Sequence, residues 1–163
     1  MTLIAIAIYA FAITIANLLA AKMGPIITPV NSFVFIGLDL ALRDWLHVRL
    51  KPWQMGSIIA STGVLTYALN PSAGVIAIAS AVSFTAAALV DWSVFAKLSG
   101  TWIKRANASN AAGAVVDSLV FPTVAFGVLM PHIIAMQFLA KVTGGALWAG
   151  SAMRNITPLR RGG

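Results

Sequence analysis

The sequence predicts an all-α integral membrane protein, a bundle of six transmembrane helices joined by short loops with both termini cytoplasmic. Three observations lead there. Hydrophobic residues make up 60% of the chain, charged residues only 9%, and the mean hydropathy is +0.90, far outside the range of a soluble domain. The 163 residues divide into apolar runs of about membrane-crossing length, which leaves no room for a separate soluble domain. The Lys and Arg residues then fall almost entirely on one side of the resulting arrangement.

The first run, 2–21, is long enough to span and has no basic segment before it, so it reads as a retained helix rather than a cleaved leader. Lys22, Gly24, Pro25 and Pro29 interrupt the pattern, and a second, more polar span follows over 33–50. Lys51 and Pro52 open a third span, 53–69, which stops at the uncharged turn signal Asn70-Pro71. The fourth span covers 72–95, and the stretch from Lys97 to Asn110 reads as the most polar linker. Spans over 111–130 and 132–152 complete one transmembrane domain, 1–152, followed by a short basic cytoplasmic tail, 153–163.

Charge asymmetry supports the count. With six spans, Arg49, Lys51, Lys97, Lys104, Arg105, Arg154, Arg160 and Arg161 share the side of the termini, whereas the opposite loops hold only Lys22. Cytoplasmic loops are enriched in Lys and Arg, so both ends are expected inside; five or seven spans would scatter the basic linkers. The formal charge of +7 is therefore a topology signal, and nucleic acid is not an expected partner.

Function is sought first among the four carboxylates, Asp39, Asp44, Asp91 and Asp117, because each lies inside an apolar stretch and the chain has no Glu. A charge at the centre of a membrane helix costs roughly 2.5 to 3.5 kcal/mol on insertion scales, so such groups pair or serve a purpose. Asp39 and Arg43, four apart on one helix face, can neutralise each other or place Asp39 for a ligand. Asp44 and His47, beside Trp45 and Arg49, read as interfacial. Asp91 precedes Trp92 near the inner boundary and divides between a solvated and a functional role. Asp117 has the apolar neighbours Val115, Val116, Leu119 and Val120 and no basic residue one turn away, so it needs a ligand or a cross-helix partner.

Counting helical rise puts Asn17 and Asp39 in the outer half of the membrane and Asp91 and Asp117 in the inner half. Asn17 sits beside Ala12, Ala16 and Ala20, a small-residue face suited to close helix packing or to docking a partner. Pro122 leaves a backbone carbonyl without its helical donor five residues after Asp117. Gln137 and Lys141 share a face of the last span, where Lys141 is either a counter-ion for an Asp or a lining residue. The Trp residues at 45, 53, 92, 102 and 148 lie near span ends, as an aromatic belt would.

The excluded chemistry is as informative. With no Cys and two His there is no expected metal site, no phosphate-binding loop marks an ATPase, and no nucleophile-base cluster marks an enzyme, so neither cofactor nor catalytic residue is expected. Acids with one Arg and amides spread over several helices suit a neutral or weakly basic polar solute whose N–H groups meet carboxylates.

The ordered set of motifs adds a resemblance. Ala16-Asn17 with Lys22, Phe35-Ile36-Gly37-Leu38-Asp39 with Arg43-Asp44, Val90-Asp91-Trp92, Arg105-Ala106-Asn107-Ala108-Ser109-Asn110 and Val116-Asp117-Ser118-Leu119-Val120-Phe121 together resemble the queuosine-precursor transporter family, also called the vitamin-uptake transporter family. The resemblance covers most of the chain. It implies a six-helix importer of 7-deazaguanine bases, such as 7-cyano-7-deazaguanine or 7-aminomethyl-7-deazaguanine, across a bacterial-type inner membrane. It makes Asp117 the leading substrate-binding residue, supported by Asn17, Asp39, Arg43, Asp91, Asn110 and Ser118. The loops and tail are shorter than the familiar pattern, which leaves open whether the chain acts alone or as a homo-oligomer. Two other readings stand beside this one: the substrate-binding subunit of an energy-coupling-factor vitamin transporter, docking through the Ala12, Ala16 and Ala20 face, and a non-transporting membrane protein.

Overall fold

Many large apolar side chains face outward and many buried positions are small, as expected when lipid rather than water surrounds a bundle. Helix α1 (Thr2–Met23) shows the pattern: Leu3, Ile4, Ile8 and Phe11 are exposed, whereas Ala5, Ala12, Ala16 and Ala20 are buried. The computed structural model describes residues 2–39, 42, 46 and 49–156. Arg43, Asp44 and His47 and the tail from 157 onward lie outside the described residues.

Six helices, and no strand, make up the described residues. After α1, a helical segment α2 (Pro25–Asp39) begins well before the expected residue 33. Prolines that read as breakers act here as starters: Pro25 and Pro29 occupy first-turn positions, where a missing N–H costs nothing. Across Ser32–Ile36 the helix widens to a π turn, with the Gly37 N–H bonded to Ser32 O five residues back. Helix α3 (Pro52–Leu69) opens with Gln54 Oε1 accepting from the Lys51 N–H at 2.8 Å. Its end at Asn70 matches the turn signal, because Asn70 Oδ1 accepts from both the N–H and hydroxyl of Ser72.

Helices α4 (Gly74–Lys97) and α5 (Trp102–Phe126) form an antiparallel hairpin. Most of the expected linker 97–110 is helical, since Thr101 caps a helix that begins at Trp102. Arg105 closes the hairpin: its Nε and Nη2 donate to Phe95 O at 3.0 and 2.7 Å while the guanidinium stacks on the Phe95 ring at 4.2 Å. The α5 helix continues through Pro122 and ends at Gly127, whose left-handed φ of 70° a side chain would strain. Helix α6 (Pro131–Ile156) packs backbone to backbone on α2, where Gly144 meets Phe33 O and Gly37 meets Gly144 with no space for a Cβ.

By length and apolar composition, three segments are sufficient to cross a bilayer: Thr2–Met23, Pro71–Lys97 and Asn107–Phe126. Trp53 and Trp92 are exposed near the start of α3 and the end of α4, as membrane-interface tryptophans are. A core of Tyr9, Ile13, Leu42, Leu46, Met55 and Phe84 fills the bundle.

Candidate functional site

Five helices converge on one small, partly open cavity lined by polar and apolar side chains. Helix α1 contributes Ala16 and Asn17, and α2 contributes Thr28, Asn31, Ser32 and Ile36. Ser80 and Phe84 come from α4, Asp117 and Phe121 from α5, and Gln137 and Lys141 from α6. The longer α5 explains why Asn17 and Asp117 meet. Asn17 lies fifteen residues beyond Thr2 and Asp117 fifteen beyond Trp102, so both sit about 22 Å along their helices. Placing Asp117 in the opposite half from Asn17 followed from starting its helix at 111, and the early start corrects it.

The polar groups bond into two sets, one across α2, α6 and α5 and one between α1 and α4. Lys141 Nζ lies 2.8 Å from Asp117 Oδ2 and donates to Ser118 Oγ at 3.1 Å and Gln137 Oε1 at 3.3 Å. Its three protons thus have three acceptors, which offsets the cost of burying a lysine that is 2% exposed. Gln137 Nε2 donates to Thr28 Oγ1 at 2.8 Å, and the Thr28 hydroxyl donates to Pro25 O at 2.7 Å. On the α1 and α4 side, the Ser80 hydroxyl donates to Asn17 Oδ1 at 2.6 Å. These bonds join α1 to α4 and α2 to α6 to α5 through side chains alone.

Two acceptors in the cavity lining are unused. Asp117 Oδ1 and Asn31 Oδ1 are buried and have no hydrogen-bond partner. A buried oxygen without a donor costs roughly 1 to 3 kcal/mol, so the cavity is a surface prepared for N–H or O–H groups. One ammonium and one carboxylate cancel, and Phe84 and Phe121 add apolar area. Such a cavity takes a neutral, donor-bearing, partly apolar solute. No group of three or more His, Cys, Asp or Glu residues stands ready for a metal ion among the described residues.

The structure therefore brings Asp117 and Asn17 together, with Ser118 supporting them through Lys141. It keeps the other expected residues apart. Asp39 is fully buried on α2 but lies outside the cavity lining. Asp91 sits eleven residues past Ser80, about 16 Å along α4, and packs beside Gly113. Asn110 is exposed, seven residues before Asp117. Arg43 lies outside the described residues. Thr28, Asn31, Ser32 and Ser80 were not singled out by sequence; the first three lie on a helix whose start Pro25 and Pro29 conceal. The Ala12, Ala16 and Ala20 face is buried against the rest of the chain and is not free to dock a partner.

The family model described as "Putative vitamin uptake transporter" matches residues 1–149, a stretch that holds every residue of the cavity. The chain belongs to this family. No curated protein and no solved structure matches it. Membership in the vitamin-uptake transporter family makes the chain an integral membrane protein of a transport family, working in a lipid bilayer on a small-molecule cargo. A cavity with polar lining residues among apolar helices is the structural counterpart of that role.

Proposed function

We propose that this vitamin-uptake transporter imports a 7-deazaguanine base across a bacterial-type inner membrane, through six spans with both termini cytoplasmic. The observation that carries the reading is the unpartnered Asp117 Oδ1 in the wall of the cavity. A deazaguanine presents its N1–H and exocyclic amine side by side. Asp117 can receive both, because Oδ1 is entirely free and Oδ2 keeps a second lone pair beyond its contact with Lys141. The Asn17 amide nitrogen is a donor for the base carbonyl, and Phe84 and Phe121 offer apolar surface to the planar ring.

Lys141 has a distinct task. It engages one oxygen of Asp117, Oδ2, and leaves Oδ1 to the cargo. The cavity also lies toward one end. Asn17 is six residues, about 9 Å, from the Met23 end of α1, on the side where the loops carry only Lys22. By the positive-inside rule that side is external, which suits capture of an incoming solute.

Uptake of labelled 7-cyano-7-deazaguanine by cells that lack their own synthesis and any energy-coupling ATPase module tests the proposal. Expression of this chain is expected to produce saturable uptake that the unlabelled base competes away. Leakage of unrelated solutes, or no uptake by well-expressed protein, would overturn it.

A further inference from the structure

The second orphan oxygen of the cavity belongs to α2, where no motif draws attention. Asn31 is 4% exposed, and its Nδ2 donates to Ala16 O at 3.0 Å. That bond fixes which end of the amide faces which way. A backbone carbonyl only accepts, so the NH2 end must turn to Ala16 and the carbonyl end must turn away from it. Asn31 Oδ1 is left without a partner in a residue that lines the cavity. Asp117 lies on a different helix, α5, so the two orphan acceptors belong to residues that line one cavity from two helices.

We propose that Asn31 is a specificity residue that accepts a hydrogen bond from a second donor edge of the cargo, the ring N–H remote from the edge read by Asp117. The assignment rests on the base-import reading above and adds a requirement to it. For a 7-deazaguanine, that donor is the N–H of the five-membered ring, the position a sugar occupies in a nucleoside. The site thereby selects free bases, because a ligand lacking that proton leaves Asn31 Oδ1 buried and unpaired. Sites built to bond an N–H reject isosteres without one far more strongly than apolar pockets reject a change of size.

The test compares two ligands on the purified, detergent-solubilised full chain: 7-cyano-7-deazaguanine, and its isostere in which a ring oxygen replaces the five-membered-ring N–H. Wild type is expected to bind the N–H base at least about tenfold more tightly, the effect of one orphaned buried acceptor. Asn31→Ala is expected to remove that discrimination, binding both ligands with similar, weakened affinity. Asn31→Ser, which keeps a small hydroxyl acceptor, is expected to restore part of it. A variant that still discriminates as wild type does, or a wild type indifferent to the substitution, overturns the role of Asn31 while leaving base binding intact. A wild type that binds neither ligand instead defeats the parent reading, and this assignment with it.

Discussion

Lys141 Nζ stands 2.8 Å from Asp117 Oδ2, joining α6 to α5 by an ion pair whose lysine is 2% exposed. Breaking such a pair by removing one partner costs about 3 to 5 kcal/mol, because the remaining charge is stranded. Lys141→Met should therefore lower the thermal unfolding midpoint of the solubilised protein sharply. Adding Asp117→Asn to it should recover much of the loss. Equal destabilisation in the single and double variants would show that the two charges do not depend on each other.

The α2–α6 contact predicts an asymmetry among glycines. A Cβ on Gly144 would run into Phe33 O, and one on Gly37 would lie 2.7 Å from the Gly144 carbonyl carbon. Backbone cannot yield as a side chain can, so Gly144→Ala should cost about 3 kcal/mol, the upper part of the overpacking range. Gly56, on α3 with nothing within 4 Å, should behave oppositely. Gly56→Ala should be neutral or add up to about 1 kcal/mol from helix propensity. Detergent thermal melts of both variants check the contrast, and matching losses would place the α2–α6 approach in error.

Arg105 predicts a difference between two basic side chains. It reaches Phe95 O with two nitrogens and stacks on the Phe95 ring, a combination lysine cannot reproduce. Arg105→Lys should destabilise the α4–α5 turn by about 1 to 2 kcal/mol while keeping the charge. Hydrogen exchange of the amides over 95–101 reads this directly. Unchanged protection would mean that the guanidinium contributes charge alone.

Sequence made some of this visible and hid the rest for identifiable reasons. Uniformly apolar runs announce helices in lipid, and Asn70-Pro71 announced a turn whose bonds to Ser72 are found. Asp117 stood out because no base lies one turn away on its own helix. Lys141 was visible as a candidate counter-ion, but its partner Asp117 lies 24 residues away, and local spacing cannot choose between acids on other helices. Pro25 and Pro29 concealed the start of α2, because the same residue that breaks a helix interior also opens a first turn. That ambiguity hid Thr28 and Asn31. The polar sequence Lys104-Arg105-Ala106-Asn107 looked like a linker because polarity signals exposure, whereas a helix can leave the apolar layer without ending.

The carboxylate of Asp117 is the group on which the proposed transport depends. Asp117→Asn keeps shape and one acceptor for Lys141 but forfeits the charge that receives the donor edge of the base. Losing one charge-assisted contact of this kind costs about 2 to 3 kcal/mol, roughly 30- to 150-fold in affinity. The decisive measurement is uptake of labelled 7-cyano-7-deazaguanine by wild type and Asp117→Asn, each normalised to the folded protein recovered from the membrane by size-exclusion chromatography. The prediction is uptake per folded molecule reduced to background in the variant, even where stranding Lys141 lowers the folded yield; uptake per folded molecule at the wild-type rate would contradict the assignment of Asp117 to the cargo.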